Sequence, residues 1–143
     1  MKTYINANTD KDIIIPLKDA AASPIDLSIY AQIKVVIQLQ NGLKKIVSYT
    51  TDDGSLTIQD AASGLLNFIL SRSVTKTISN QVDLYYIVRV YQSDEDYLND
   101  LAIDETFPTY LATIIKTSTI VTGKLEQCNK NQLDLKLFLL PNG

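Results

Sequence analysis

The 143-residue chain holds 13 basic and 16 acidic residues for a net charge of −3, and 45% of it is hydrophobic. That length and composition suit one domain, residues 1–143, with a real core, and scattered basic residues with Lys44-Lys45 as the only adjacent pair exclude a nucleic-acid-binding stripe. The absence of histidine excludes Ser-His-Asp and Cys-His catalysis, the imidazole general base and most transition-metal sites, while carboxylate chemistry survives.

Residues 1–11 are polar and without period, and nothing in Met1 to Asn6 resembles the apolar segment of a secretory signal. No stretch approaches the roughly 18 apolar residues of a membrane span. Asp12 to Leu17 is a β-branched run, and Pro16, lacking an N–H, places it at a sheet edge. Lys18 to Pro24 is a connection or one helical turn. Ile25 to Leu39 reads as a single long strand with a bend or bulge near Ser28 to Ala31. In its second part Ile29, Ala31, Ile33, Val35, Ile37 and Leu39 share an apolar face. Asn41-Gly42 then predicts a tight hairpin into Leu43 to Thr50.

Thr51 to Gly54 is a turn, Ser55 to Gln59 a short strand, and Asp60 to Gly64 a second turn. Leu65 to Leu70 is apolar on both faces, as expected of a strand that is central or covered on each side. Ser71 to Ile78 breaks the alternation and predicts one short helix or 3₁₀ turn crossing between sheets, with Ser71 or Ser73 as its cap. Gln81 to Gln92 is a strong strand. Val82, Leu84, Tyr86, Val88 and Val90 lie on one face, and Tyr85, Ile87, Arg89 and Tyr91 on an amphipathic second face suited to contact.

Ser93 to Thr106 differs from the rest. Six of the chain's acids lie there without one base, so the remainder of the chain is net positive. Ser93 and Asp96 loosely match a capping box, and Tyr97, Leu98, Leu101 and Ala102 fit one helical face. Phe107 to Thr122 is dense in Thr, Ile and Val and reads as strand. Lys124 to Gln132 is a polar loop holding the lone Cys128, an inert thiol without an activating neighbour. Leu133 to Leu140 alternates as a last strand. About eight strands with at most two short helices predict an all-β, two-sheet antiparallel sandwich.

The acidic excursion at 93–106 half-matches a calcium loop. Asp94, Asp96, Asp100 and Glu105 fall at the first, third, seventh and twelfth positions. Leu98 and Asn99 occupy the fifth and sixth, where an oxygen ligand and a glycine are needed, so no metal is assigned. Paired carboxylates for glycoside hydrolysis would need Asp83 and Asp134 brought together, which no spacing indicates. The five glycines stand singly, with no phosphate-cradling pattern. Tyr85, Tyr86 and Tyr91 could stack sugars or line an interface.

Asp12 to Leu17 is followed by Pro24-Ile25-Asp26-Leu27-Ser28 and the strand of Ile33-Lys34-Val35. A hairpin, Leu56-Thr57-Ile58, and Asp60 to Gly64 leading into Leu66-Asn67-Phe68 come next. This order, over residues 10–92, resembles the immunoglobulin-like β-sandwich modules of tailed-phage virions, in particular the N-terminal module of baseplate upper proteins and capsid auxiliary (decoration) proteins. The acidic excursion departs from that pattern. The resemblance implies a non-enzymatic virion protein made in a bacterial cytoplasm, where neither disulfides nor a signal peptide is needed. It implies no cofactor, and as partners other virion proteins such as the major capsid protein or a head fibre, or further copies of the chain, with no nucleic acid and no membrane. The expected contact surface is Tyr85, Arg89, Tyr91, Asp94, Asp96 and Asp100. The alternatives are a tail or baseplate connector, a carbohydrate- or surface-binding module, and more remotely a carboxylate hydrolase.

Overall fold

The computed structural model describes residues 2–39, 44–78 and 81–115. In chain order the strands are β1 (Tyr4–Asn6), β2 (Lys11–Pro16), β3 (Gln32–Leu39), β4 (Lys45–Thr50), β5 (Leu56–Asp60), β6 (Leu65–Leu70), β7 (Val82–Tyr91), β8 (Asp104–Glu105) and β9 (Thr109–Ile115). Two short helices, α1 (Arg72–Thr75) and α2 (Asp94–Leu98), flank β7. The strands form an all-β sandwich of two sheets. The larger runs β4-β3-β7-β9-β1, with β8 also on β7, and the smaller runs β2-β6-β5.

Alternation along the strands builds the core between the sheets. Ile33, Val35 and Ile37 of β3 and Leu84, Val88 and Val90 of β7 face Ile15 of β2 and Leu66, Phe68 and Leu70 of β6. Tyr49 of β4 stacks on Phe68 with ring centroids 4.5 Å apart, joining the sheets through aromatic contact. As Pro16 indicated, β2 is an edge strand. β6 is central in its sheet, although its outer face is open and Ile69 is 56% exposed there. The β3–β4 pair is the expected hairpin. Its Asn41-Gly42 turn lies outside the described residues, as do residues 116–122, the Lys124 to Gln132 loop with Cys128, and Leu133 to Leu140.

Four expectations are corrected. The long strand from Ile25 does not form: Leu27–Ile29 is a 3₁₀ turn capped by Asp26, whose Oδ1 accepts from Ser28 N and Oγ. The turn rotates the chain out of phase, so Ile29 is 63% exposed and off the core face. Gln38, which alternation sets opposite the apolar face of Ile33, Val35 and Ile37, is nonetheless buried where the β3–β4 register shifts between Ile37 and Gln38. Phe107 does not begin the next strand, because Pro108 has no N–H to pair; β9 starts at Thr109, after the two-residue β8. Finally, β1 runs parallel to β9 while every other pairing among the described strands is antiparallel. The whole sandwich lies between β1 and β9 in sequence, which supplies the crossover a parallel pair needs.

The helix expected after Ser71 is α1, but its cap comes from elsewhere. Ser71 Oγ pairs with Ser73 Oγ, and the free Arg72 N–H donates to Asp10 Oδ1 at 2.7 Å. The buried Thr75 Oγ1 accepts from Asn8 N and donates to Thr9 O, fastening α1 to the β1–β2 turn.

Two glycines have positive φ with different surroundings. Gly64 (φ +69°) packs so closely that a Cβ would lie 2.5 Å from Leu17 O and 2.9 Å from Ile25 O. Gly54 (φ +81°) faces open space. Gly64→Ala should therefore lower the unfolding free energy by about 3–4 kcal/mol, adding backbone displacement to the left-handed strain, and Gly54→Ala by about 1 kcal/mol. Urea unfolding with an unchanged slope measures both, and equal losses would show that the close approach at Gly64 is unimportant.

Candidate functional site

The outward faces of β3 and β7 meet through their register, which sets Lys34 directly opposite Arg89 and Gln32 opposite Tyr91. Two like charges facing each other across a strand pair are unfavourable. The acidic excursion folds back over this end of the sheet and supplies the counter-charge. Asp100 lies 3.7 Å from Lys34 Nζ and 3.5 Å from Arg89 Nη1, while Glu105 Oε1 lies 3.1 Å from Arg89 Nε.

Local chemistry brings Asp100 to that point. Ser93 caps α2, its Oγ accepting from Asp96 N. The helix stops after five residues: Leu101 N donates to Asp96 O and Asp100 N to Tyr97 O, with Asp100 at φ 56°. This is the Schellman arrangement, whose left-handed position usually holds glycine. Aspartate tolerates it better than most residues, and here its carboxylate is used. Tyr91 OH donates to Asp100 Oδ1 at 2.6 Å. Tyr97 covers Tyr91 edge-on with centroids 5.2 Å apart, and Lys34 Nζ lies 5.9 and 5.8 Å from the Tyr91 and Tyr97 ring centroids.

The protonation states follow. The Tyr91 hydroxyl, with the Arg89 and Lys34 charges, holds Asp100 below the ordinary carboxylate range against some desolvation. Burial, together with the bond to Asp100, pushes the Tyr91 phenol up.

The expected contact residues thus divide. Arg89, Tyr91 and Asp100 are brought together, and Asp94 joins through Gln32 Nε2, which donates to its Oδ1 at 3.1 Å. Tyr91 is fully buried, so it offers no contact surface. Asp96 contributes its backbone to the helix ends. Tyr85 lies further along β7, edge-on to Tyr110 at 5.9 Å. Among the described residues no three acids converge on a point that could hold a cation: Asp94 turns to Gln32 and Asp100 to Tyr91, Lys34 and Arg89. Lys34, Tyr97 and Glu105 were not among the expected contact residues. Only the pairing of β3 with β7, which the sequence does not reveal, places Lys34 beside Arg89.

Leu98 and Leu101, expected on one helical face, are 80% and 60% exposed. The helix ends before that face can form, and Ile103 (54%) and Phe107 (89%) continue the exposed apolar series.

At the other end of β7, Asp83 Oδ1 accepts from Thr113 Oγ1 at 2.6 Å and Asp83 lies 3.3 Å from Lys2 Nζ. Thr113 Oγ1, its proton given to Asp83, accepts from Tyr110 OH at 2.7 Å, and Tyr110 OH accepts from Thr3 N at 3.1 Å. This group borders an open cleft of about 590 Å³ and ties the N-terminal strand to the sheet. The Thr113 bond, then Lys2, hold Asp83 below its ordinary range, the wrong direction for a general acid; Asp134 lies outside the described residues. Among the described residues no helix is long and apolar enough to cross a membrane. No protein-family profile matches the chain, and no curated protein matches it in sequence.

Because the folded-state pKa of Asp100 lies below its unfolded value of about 4, its contribution is present above that pH and is lost as pH falls through the lower folded value. Asp100→Asn should give a shallower acid limb in unfolding free energy against pH than the parent. An identical limb would show that the carboxylate carries no linkage. Tyr91→Phe, which removes the donor, should cost about 1–2 kcal/mol near neutral pH in denaturant unfolding.

Proposed function

We propose that this chain is a non-enzymatic structural protein of a tailed-bacteriophage virion, an auxiliary or decoration protein seated on the capsid against the major capsid protein or a head fibre. The observation that carries an interaction role is the exposed series Leu98, Leu101, Ile103 and Phe107 on a segment that is itself fastened to the sheet. Apolar side chains held out on an anchored segment suit docking, because little of the surface has to be ordered on binding. The order of strands and turns over residues 10–92 supports the virion setting through its likeness to phage sandwich modules. A tail or baseplate connector is the neighbouring reading within the same class. The carbohydrate-binding alternative relied on stacking tyrosines, and Tyr91 is covered by Tyr97.

Particles purified from lysate by density gradient should contain the chain in many copies, detected by quantitative mass spectrometry. Electron microscopy with a specific antibody should place it on the head. Its absence from purified particles overturns the proposal, and labelling confined to the tail replaces decoration with the connector reading.

A further inference from the structure

We propose that copies of this chain associate head to tail, the acidic excursion of one copy seating in a lysine-flanked cleft at the opposite end of the next. The inference rests on the interaction reading above and names the partner as a second copy.

The excursion presents exposed Leu98 and Leu101 beside acids that its own sheet leaves over. Asp100 and Glu105 are engaged by Lys34 and Arg89, whereas Asp94, Glu95, Asp96 and Asp104 meet no lysine or arginine among the described residues. At the other end of the larger sheet is a cleft of about 340 Å³ with apolar walls from Leu39, Ile46, Ile78 and Val82. Lys44 and Lys45, the only adjacent basic pair in the chain, line it, and among the described residues no acid does. The two surfaces are complementary in both respects, apolar to apolar and acidic to basic.

They cannot meet within one copy. The excursion contacts β3 at Gln32 and Lys34, while the cleft begins at Leu39, and β7 likewise separates Tyr91 from Val82. At about 3.3 Å per residue the ends of β7 are roughly 30 Å apart. The contact is therefore between molecules and joins unlike surfaces, which gives rings or open chains rather than a two-fold dimer.

Sedimentation velocity of the full chain over a concentration series, at low salt and at about 0.5 M salt where screening is short-ranged, tests this. The expected result is concentration-dependent species larger than a dimer, weakened about tenfold or more by the high salt. Lys44→Glu with Lys45→Glu should abolish association, and so should Glu95→Lys with Asp96→Lys. Mixing the two variants should restore it, because each then carries the counterpart of the other's altered end. Thermal unfolding confirms that the variants are folded, and Glu95→Lys alone, at an exposed position, serves if the double change destabilises α2. A monomer at every concentration, association indifferent to the charge reversals, or a mixture that stays monomeric overturns the proposal. A monomer found on purified particles overturns self-association alone, whereas an oligomer absent from particles overturns the virion reading alone.

Discussion

Eight consecutive residue pairs join β3 to β7, from Gln32 with Tyr91 to Leu39 with Leu84, and this register is the constraint on which the rest depends. It aligns the alternation of two strands so that their apolar sides coincide and meet the smaller sheet. The same alignment forces Lys34 and Arg89 together on the far side. A one-residue slip would separate those charges and also turn the apolar side of one of the two strands to solvent. Core burial therefore fixes the register, and the charge conflict is inherited from it.

The excursion resolves that conflict at a local cost. A non-glycine residue in left-handed geometry is strained, yet Asp100 occupies such a position at the end of α2. A glycine would relax the turn and leave Lys34 and Arg89 facing each other without the carboxylate between them. A local rule is broken here because a contact between distant parts of the sequence outweighs it. The cluster is only partly buried, the Asp100 side chain being 56% exposed, so each pair is screened and the arrangement works as a group.

Most of the sandwich was legible because strands with one buried face write a period of two into the sequence. Pro16 marked an edge, and Ser93 marked a helix start. What escaped were places where a few residues change phase. A single 3₁₀ turn moves Ile29 from the core side to solvent while leaving the sequence alternation intact. Leu98 and Leu101 have helical spacing, but spacing does not reveal that the helix ends between them. The site was half legible: Arg89, Tyr91 and Asp100 stood out by type. Their convergence on Lys34 did not, because it depends on strand pairing across more than fifty residues of chain, and periodicity carries no information about which charges will meet.

The parallel pairing of β1 with β9 has a mechanical consequence. Tension drawn backwards along β1 and forwards along β9 slides the two strands past each other, so the hydrogen bonds from Thr113 N to Thr3 O and from Ala7 N to Ile115 O are strained together rather than peeled in turn. The side-chain links from Lys2 to Asp83 and from Tyr110 to Thr3 bear on the same joint. Resistance to such loading is set by the rate of rupture rather than by equilibrium stability. The N-terminal strand is thus placed to let a small sandwich withstand pulling along its length.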